Sequence, residues 1–362
     1  MSSQPVFVIA EAGVNHNGSL DLARQLIDAA ATAGADAVKF QTFRSEAVIS
    51  RFAVKAQYQI ANTGADESQL DMVRKLEFGA AEHAALIEHC RSRDIVFLST
   101  PFDLESVVLL TREFNLPRLK IPSGEITNLP LLLAVGRAGK PIIMSTGMAE
   151  LDEIETALSV LAFAFTAAPD ERPSTEKLAA AYRDSRAREL LRSRVVLLHC
   201  TTEYPAPFED VNLRAMDTMA AAFGLPVGYS DHTPGITIPV AAVARGAVVI
   251  EKHVTIDRTL PGPDHVASIE PQELTSMVRM IRNVEAALGD GRKRAMPSEV
   301  KNIAIARKSL VASRPIATGE RFSETNLTTK RPGSGVSAMR YYDFLGRTAR
   351  RDYASDELID EG

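Results

Sequence analysis

Residues 6–43, VFVIAEAGVNHNGSLDLARQLIDAAATAGADAVKFQTF, hold an apolar strand-like run, an amphipathic helical pattern and a second apolar run, and the two runs end on Glu11 and on Lys39 with Gln41. Strands that are apolar almost throughout belong in a parallel sheet covered on both faces. The unit recurs along the chain. Strands are expected near 6–10, 37–41, 95–99, 118–122, 141–145, 195–199, 226–230 and 248–252, alternating with helices near 19–33, 80–92, 104–114, 129–137, 150–164, 211–222, 236–245 and 271–288. Eight such units predict an α/β chain closed into a (β/α)8 TIM barrel, with an open doubly wound sheet as the alternative. In a barrel the residues at the carboxyl ends of the strands line the active site. Polar endings occur where this requires them, in STPF (99–102), KIPSGE (120–125), MSTGM (144–148), LLHCTTEYP (197–205), GYSDH (228–232) and IEKH (250–253).

The chain has 362 residues, more than the roughly 250 of a typical barrel. The Gly-, Pro- and charge-rich stretch GDGRKRAMPSE at 289–299 marks a boundary. We therefore expect a catalytic barrel over 1–288, a linker over 289–305 and a small β-rich domain over 306–362. With only about 60 residues that domain has a marginal core, so it is expected to pack on another surface. Two excursions interrupt the barrel repeat. Residues 44–79 read as a long loop over the catalytic face, and residues 166–193 as a charged, Ala-rich surface helix.

A formal charge of -5 with acids and bases interspersed leaves no basic stripe for nucleic acid and no polybasic membrane patch. Cys90 and Cys200 are the only cysteines and form no metal or redox motif. No stretch of about 18 apolar residues and no leader pattern is seen. A soluble, cytoplasmic protein is the expectation.

Lys39, Lys120 and Lys252 each lie in or at the end of an apolar strand, where an unpaired ammonium is costly. One such lysine reads as a structural ion pair. Three converging with the hydroxyls of Thr100, Ser123 and Ser230 read as an anion cradle. His232 and His253 end adjacent strands and are placed to offer imidazole nitrogen to a divalent ion, or to serve as hydrogen-bonded packing residues. His83 and His89 read as surface residues, and His199 as a core or supporting histidine. Glu11, Glu125 and Asp264 are candidate acids, with simple pairing to lysine as the alternative role. No phosphate-binding loop or dinucleotide fingerprint is present.

The joint occurrence of AEAGVNHNG, KFQTF, STPFD, KIPSGE, STGM, YPAPFEDVNL, GYSDH, EKH and PGPD resembles the sialic (nonulosonic) acid synthase family over essentially the full length. The tail, with NLTTKRPGSG at 326–335 and FLGR at 344–347, is similar to that family's antifreeze-like (SAF) domain. This resemblance implies condensation of phosphoenolpyruvate with an open-chain N-acyl hexosamine, releasing phosphate and forming a nine-carbon keto acid. It implies that Glu11, Lys39, Lys120 and Glu125 are catalytic, and that Gln41, Thr100, Ser123, Tyr204, Ser230, Asp264 and Arg331 bind substrate. It further implies that His232 and His253 hold a divalent metal, manganese first, with magnesium or cobalt as alternatives. Arg331 resembles an arginine that one subunit's tail inserts over its partner's barrel, so a domain-swapped homodimer is expected. Where some members carry Asn, this chain has Thr202.

Two other functions remain to be weighed. A metal-free pyruvate aldolase would use Lys39 or Lys120 as a Schiff-base lysine, and a sugar-binding module would retain the barrel without chemistry. SAMRY and ADESQLDMV resemble synthases of N,N'-diacetyllegionaminate, whereas other stretches fit N-acetylneuraminate synthases equally well.

Overall fold

The computed structural model describes residues 4–64 and 66–361. Eight parallel strands, β1 (Phe7–Gly13), β2 (Ala37–Thr42), β3 (Val96–Pro101), β4 (Leu119–Ile121), β5 (Ile142–Ser145), β6 (Val195–Cys200), β7 (Val227–Asp231) and β8 (Val249–His253), form one sheet in the order β3-β2-β1-β8-β7-β6-β5-β4. The two ends of that order, β3 and β4, lie side by side and close the barrel. The expected strands agree within a few residues. The closed sheet excludes the doubly wound alternative.

Side chains alternate between the two faces of each strand. Outward positions such as Val8, Val38, Leu197 and Ile250 join the large apolar cluster under the helices. Inward positions are layered. A dry layer of Ile9, Ala37, Leu98, Ile143, Leu198 and Val249 fills the barrel, and two residues further along each strand the inward side chain is polar or lies at the site described below. The packed layer acts as a floor.

The helices expected at 80–92, 129–137 and 271–288 occur at those bounds. The one expected at 104–114 begins as α-helix over Leu104–Val108 and continues as a π-helical turn over Leu109–Glu113. The 44–79 excursion contains three short helices, Ser45–Val48, Gln57–Thr63 and Gln69–Arg74, each too short to show apolar periodicity. In the 166–193 insertion the single expected helix is two, Thr175–Arg183 and Ser185–Arg194. Asp184 between them ends the first and caps the second by accepting from the Ala187 N–H at 2.8 Å. Among the described residues, no helix is long and apolar enough to cross a membrane.

The chain divides into two compact units, with the boundary between Gly289 and Asp290. The stretch read as linker contains a helix, Pro297–Ala306, that belongs to the second unit. In that unit Ser309–Ala312 and Leu327–Lys330 pair antiparallel, and Leu310, Ile316, Phe322, Phe344, Tyr353 and Ile359 form its own apolar core.

Gly228 lies at an inward position of β7, with β6 and β8 close on either side. A Cβ there would stand 2.4 Å from the Val249 carbonyl oxygen and 2.7 Å from Leu198 Cδ2. Gly228→Ala is expected to cost about 1–3 kcal/mol by overpacking, read as a lower thermal midpoint. An unchanged midpoint would contradict this account of the barrel interior.

Candidate active site

Above the apolar floor a cavity of about 280 Å³ opens at the carboxyl ends of the strands. It brings together Glu11, Lys39, Gln41, Thr100, Lys120, Ser123, Tyr204, Ser230, His232, His253 and Asp264. The 44–79 excursion supplies Val48, Tyr58, Met72 and Leu76 to its wall, consistent with the covering role expected of that segment.

Two lysines organise the base. Lys39 Nζ lies 2.5 Å from Glu11 Oε2 and 3.8 Å from Glu251 Oε2, and donates to Thr100 Oγ1 at 3.0 Å. Lys120 Nζ donates to Ser145 Oγ at 2.7 Å and lies 3.4 Å from Glu251 Oε1. Ser230 donates to the same Glu251 oxygen at 3.1 Å. All four charged side chains are buried. Burial works against the Lys39 charge, but Glu11 and Glu251 outweigh it and raise its pKa. Lys120, with the more distant partner, is lowered by burial. Burial would raise Glu251, yet Lys120 and Lys39 leave it below the ordinary carboxylate range. Glu11 is pushed up to about 7 by burial, against the pull of Lys39. Oε2 of Glu11 and Oε2 of Glu251 lie within ion-pair range of Lys39 but make no hydrogen bond of good geometry.

The rim carries the imidazoles. His232 Nδ1 stands 2.6 Å from the Thr201 carbonyl, so that nitrogen donates and Nε2 keeps its lone pair. His253 Nδ1 is buried without a partner, and burial holds both rings neutral. Their centroids are 5.5 Å apart, and Tyr204 packs against both. Gly13, at φ +53°, brings the chain close: Glu11 Oε1, His253 Cε1 and Gln41 Nε2 all lie within 3.6 Å of the point its Cβ would occupy. Among the described residues, no group of three or more His, Cys, Asp or Glu is arranged around a metal position. Two neutral imidazoles, one with an orphaned nitrogen and one oriented by a carbonyl, fit an ion whose other positions are filled by water or substrate oxygen. Asp264, in the loop after β8, is raised to about 6 by burial.

Several expectations need correction. Lys252 does not join the cradle: it faces outward from β8 and pairs with Asp231 at 2.6 Å, both fully buried. The inward residue is its neighbour Glu251, which sequence reading passed over although alternation back from His253 points to it. Ser145 and Cys200 were missed for the same reason. His83 is buried, not on the surface, and bonds to Thr42 and the Gly79 carbonyl. Glu125 stands apart from the cavity lining, its carboxylate accepting from Asn128 at 2.6 Å. Arg331 lies in the second unit, in the tail where the sequence reading put it, and its Nε donates to the Ala306 carbonyl at 3.1 Å.

The NeuB family model matches residues 26–293, and a SAF domain model matches residues 307–361. This chain belongs to the NeuB family. It is 56% identical over 354 residues to N,N'-diacetyllegionaminic acid synthase of Campylobacter jejuni, covering 98% of each chain. The enzyme of the same name from Legionella pneumophila is 43% identical, over 95% of this chain and 90% of that one. Among solved structures, the N-acetylneuraminic acid synthetase of Leptospira borgpetersenii superposes with a TM-score of 0.66 at 37% identity, over 83% of this NeuB family chain and 90% of that protein.

Buried histidines give this barrel an acid limit. Burial lowers His16 to about 3 and His265 to about 4, and lowers His83 and His199 as well. A folded pKa below the unfolded value near 6.5 adds stability above that pH and loses it as the pH falls toward 4. Glu11 and Asp264, both raised, act with the opposite sign and offset part of the loss. The denaturation midpoint should fall between pH 6.5 and 4. A midpoint that holds or rises over that window would contradict the assignment of these rings as neutral.

Proposed function

We propose that this protein condenses phosphoenolpyruvate with an open-chain 2,4-diacetamido-2,4,6-trideoxymannose, releasing phosphate and forming N,N'-diacetyllegionaminate. The observation that carries the reaction class is the paired-lysine base, where two ammonium groups and the Thr100, Ser145 and Ser230 hydroxyls converge in one small cavity. The 56% identity to the Campylobacter synthase favours the diacetamido sugar over N-acetylmannosamine.

Lys39 and Lys120 hold the phosphate and carboxylate oxygens as charged donors, so no imine is formed. A divalent ion on His232 and His253, manganese in this reading, would supply Lewis-acid polarisation of the sugar aldehyde. Glu11, whose pKa burial raises to about 7 so that it exchanges a proton near neutral pH, stands beside Gln41 and His253 to donate one to the aldehyde oxygen. C3 of phosphoenolpyruvate bonds to the aldehyde carbon, water adds at C2, and the C2–O bond breaks to release phosphate. The lysines stabilise the charge on the departing group. The walls from Tyr58, Met72 and Leu76 limit bulk water.

Phosphate should appear in step with the keto acid, chelation should abolish turnover, and manganese, cobalt or magnesium should restore it. Borohydride added during turnover should leave no pyruvyl-lysine adduct by mass spectrometry. Full turnover after exhaustive chelation would overturn the metal assignment, and a reduced adduct would favour the aldolase reading.

The active form in this reading is a cytoplasmic homodimer in which Arg331 of one subunit reaches the partner's site. Exposure of Arg331 and the small core of the C-terminal unit support it. Glu11→Ala and Arg331→Ala proteins, mixed under conditions of subunit exchange, should recover activity above either parent. Each mixed dimer carries both lesions in one site and leaves the other intact. No recovery despite demonstrated exchange would place Arg331 at its own barrel or in a structural role.

A further inference from the structure

The ladder between β7 and β8 ends on the rung that pairs Asp231 with Lys252, and His232 and His253 each stand one residue beyond it. His253 is steadied from its other side, where β1 pairs it with Glu11. His232 is tied toward β6, its carbonyl accepting from the Ala206 N–H at 2.9 Å and its Nδ1 donating to the Thr201 carbonyl at 2.6 Å. Toward β8 the tie is a side chain. Lys252 Nζ donates to Asp231 Oδ2 at 2.6 Å and also to the Thr233 carbonyl, so it grips the residue on each side of His232 while its own backbone leads into His253. Asp231 accepts in turn from the Thr233 N–H at 3.1 Å and from the Thr233 hydroxyl at 2.9 Å. Asp231, Thr233 and Lys252 are fully buried, and none of them lines the catalytic cavity.

Stability alone does not account for this arrangement. Apolar residues of similar volume often match or exceed a buried ion pair, because taking two charges out of water costs about as much as their attraction gives back. What the pair supplies is direction: a charged donor held between two fixed acceptors allows one course of the chain around His232. A metal site depends on such precision, since ligand distances must hold within about 0.2 Å. Among the described residues no third His, Cys, Asp or Glu is grouped with the two imidazoles around a metal position, so no further side chain of that kind compensates for a displaced ring. We propose that Lys252, with Asp231 and Thr233, is a positioning clamp that sets the separation of His232 and His253 and thereby the affinity for the divalent ion. The inference rests on the metal assignment proposed above.

The test titrates metal-free protein with Mn2+ in the absence of substrates, the free ion being read by electron paramagnetic resonance. The double variant Asp231→Asn, Lys252→Met removes both charges at nearly constant volume and keeps an oxygen that accepts from Thr233. Its Kd for Mn2+ should rise about tenfold or more, the scale of losing a group that orients a metal ligand. Its thermal midpoint without metal should stay within about 4 °C of wild type, and its Kd for phosphoenolpyruvate, by calorimetry, within about twofold. Thr42→Val removes an outward hydroxyl at the end of β2 that bonds to His83 and Ser99, and should leave the Mn2+ affinity within about twofold. Should the double variant not fold, Thr233→Val decides: it keeps the shape and the ion pair, removes one hydrogen bond to Asp231, and should raise the Kd for Mn2+ about threefold. Wild-type Mn2+ affinity in the folded clamp variant, an equal loss in Thr42→Val, or a joint fall in Mn2+ affinity, phosphoenolpyruvate affinity and midpoint would overturn the inference. Absence of Mn2+ binding by the wild type would overturn the metal assignment itself, and the clamp's role with it.

Discussion

The charge balance beneath the cavity, Lys39 and Lys120 against Glu11 and Glu251, is the constraint on which the rest of the site depends. An ammonium taken out of water costs several kcal/mol unless it is paired and hydrogen-bonded. Here two carboxylates do that from adjoining strands: β1 stands between β2 and β8, so Glu11 and Glu251 both reach Lys39, and Glu251 also crosses the barrel to Lys120. The balance is uneven. Lys120 has the longer ion pair and a lowered pKa, which marks it as the cation whose attraction is least spent inside the protein. An arriving anion gains most there, from a donor already fixed by Ser145.

That balance also explains the layering. The apolar layer of Ile9, Leu98, Ile143 and Leu198 seals the barrel below, so the charges sit where water is scarce and electrostatic contrasts are strong. Above, the neutral imidazoles and Tyr204 form a less polar rim that confines the lysine field to the base. On the far side of the loop after β8, Asn62 of the covering segment donates to the Pro263 carbonyl at 2.7 Å, and Ser268 donates to the Asp264 carbonyl at 2.7 Å. Asp264 is thereby held at the cavity by both the barrel and its cover.

The eight strands were legible because each is a nearly unbroken apolar run with a polar ending, a signal that needs only local sequence. Facing was harder. In IEKH the eye goes to Lys252, yet a period of two from His253 selects Glu251 and turns Lys252 toward Asp231. His83 was misplaced because its helix is weakly amphipathic, and only the tertiary contact with Thr42 shows that its face is buried. The three helices of the covering segment lack a readable period at four to seven residues each. Glu125 follows KIPSG as expected, next to the cavity residues Ser123 and Gly124, and the turn after β4 brings its carboxylate to Asn128, a contact that the motif alone does not reveal.

The most direct measurement of the central claim is binding of phosphoenolpyruvate alone, by calorimetry, to the wild type and to folded Lys120→Met. If the paired lysines form an electrostatic cradle, the variant should bind about a hundredfold more weakly, the scale of losing one buried charged partner, and neither protein should yield a borohydride-trapped adduct. Equal affinity in the two proteins would contradict the account, because the cation least satisfied within the fold would then contribute nothing to the anion it is placed to hold.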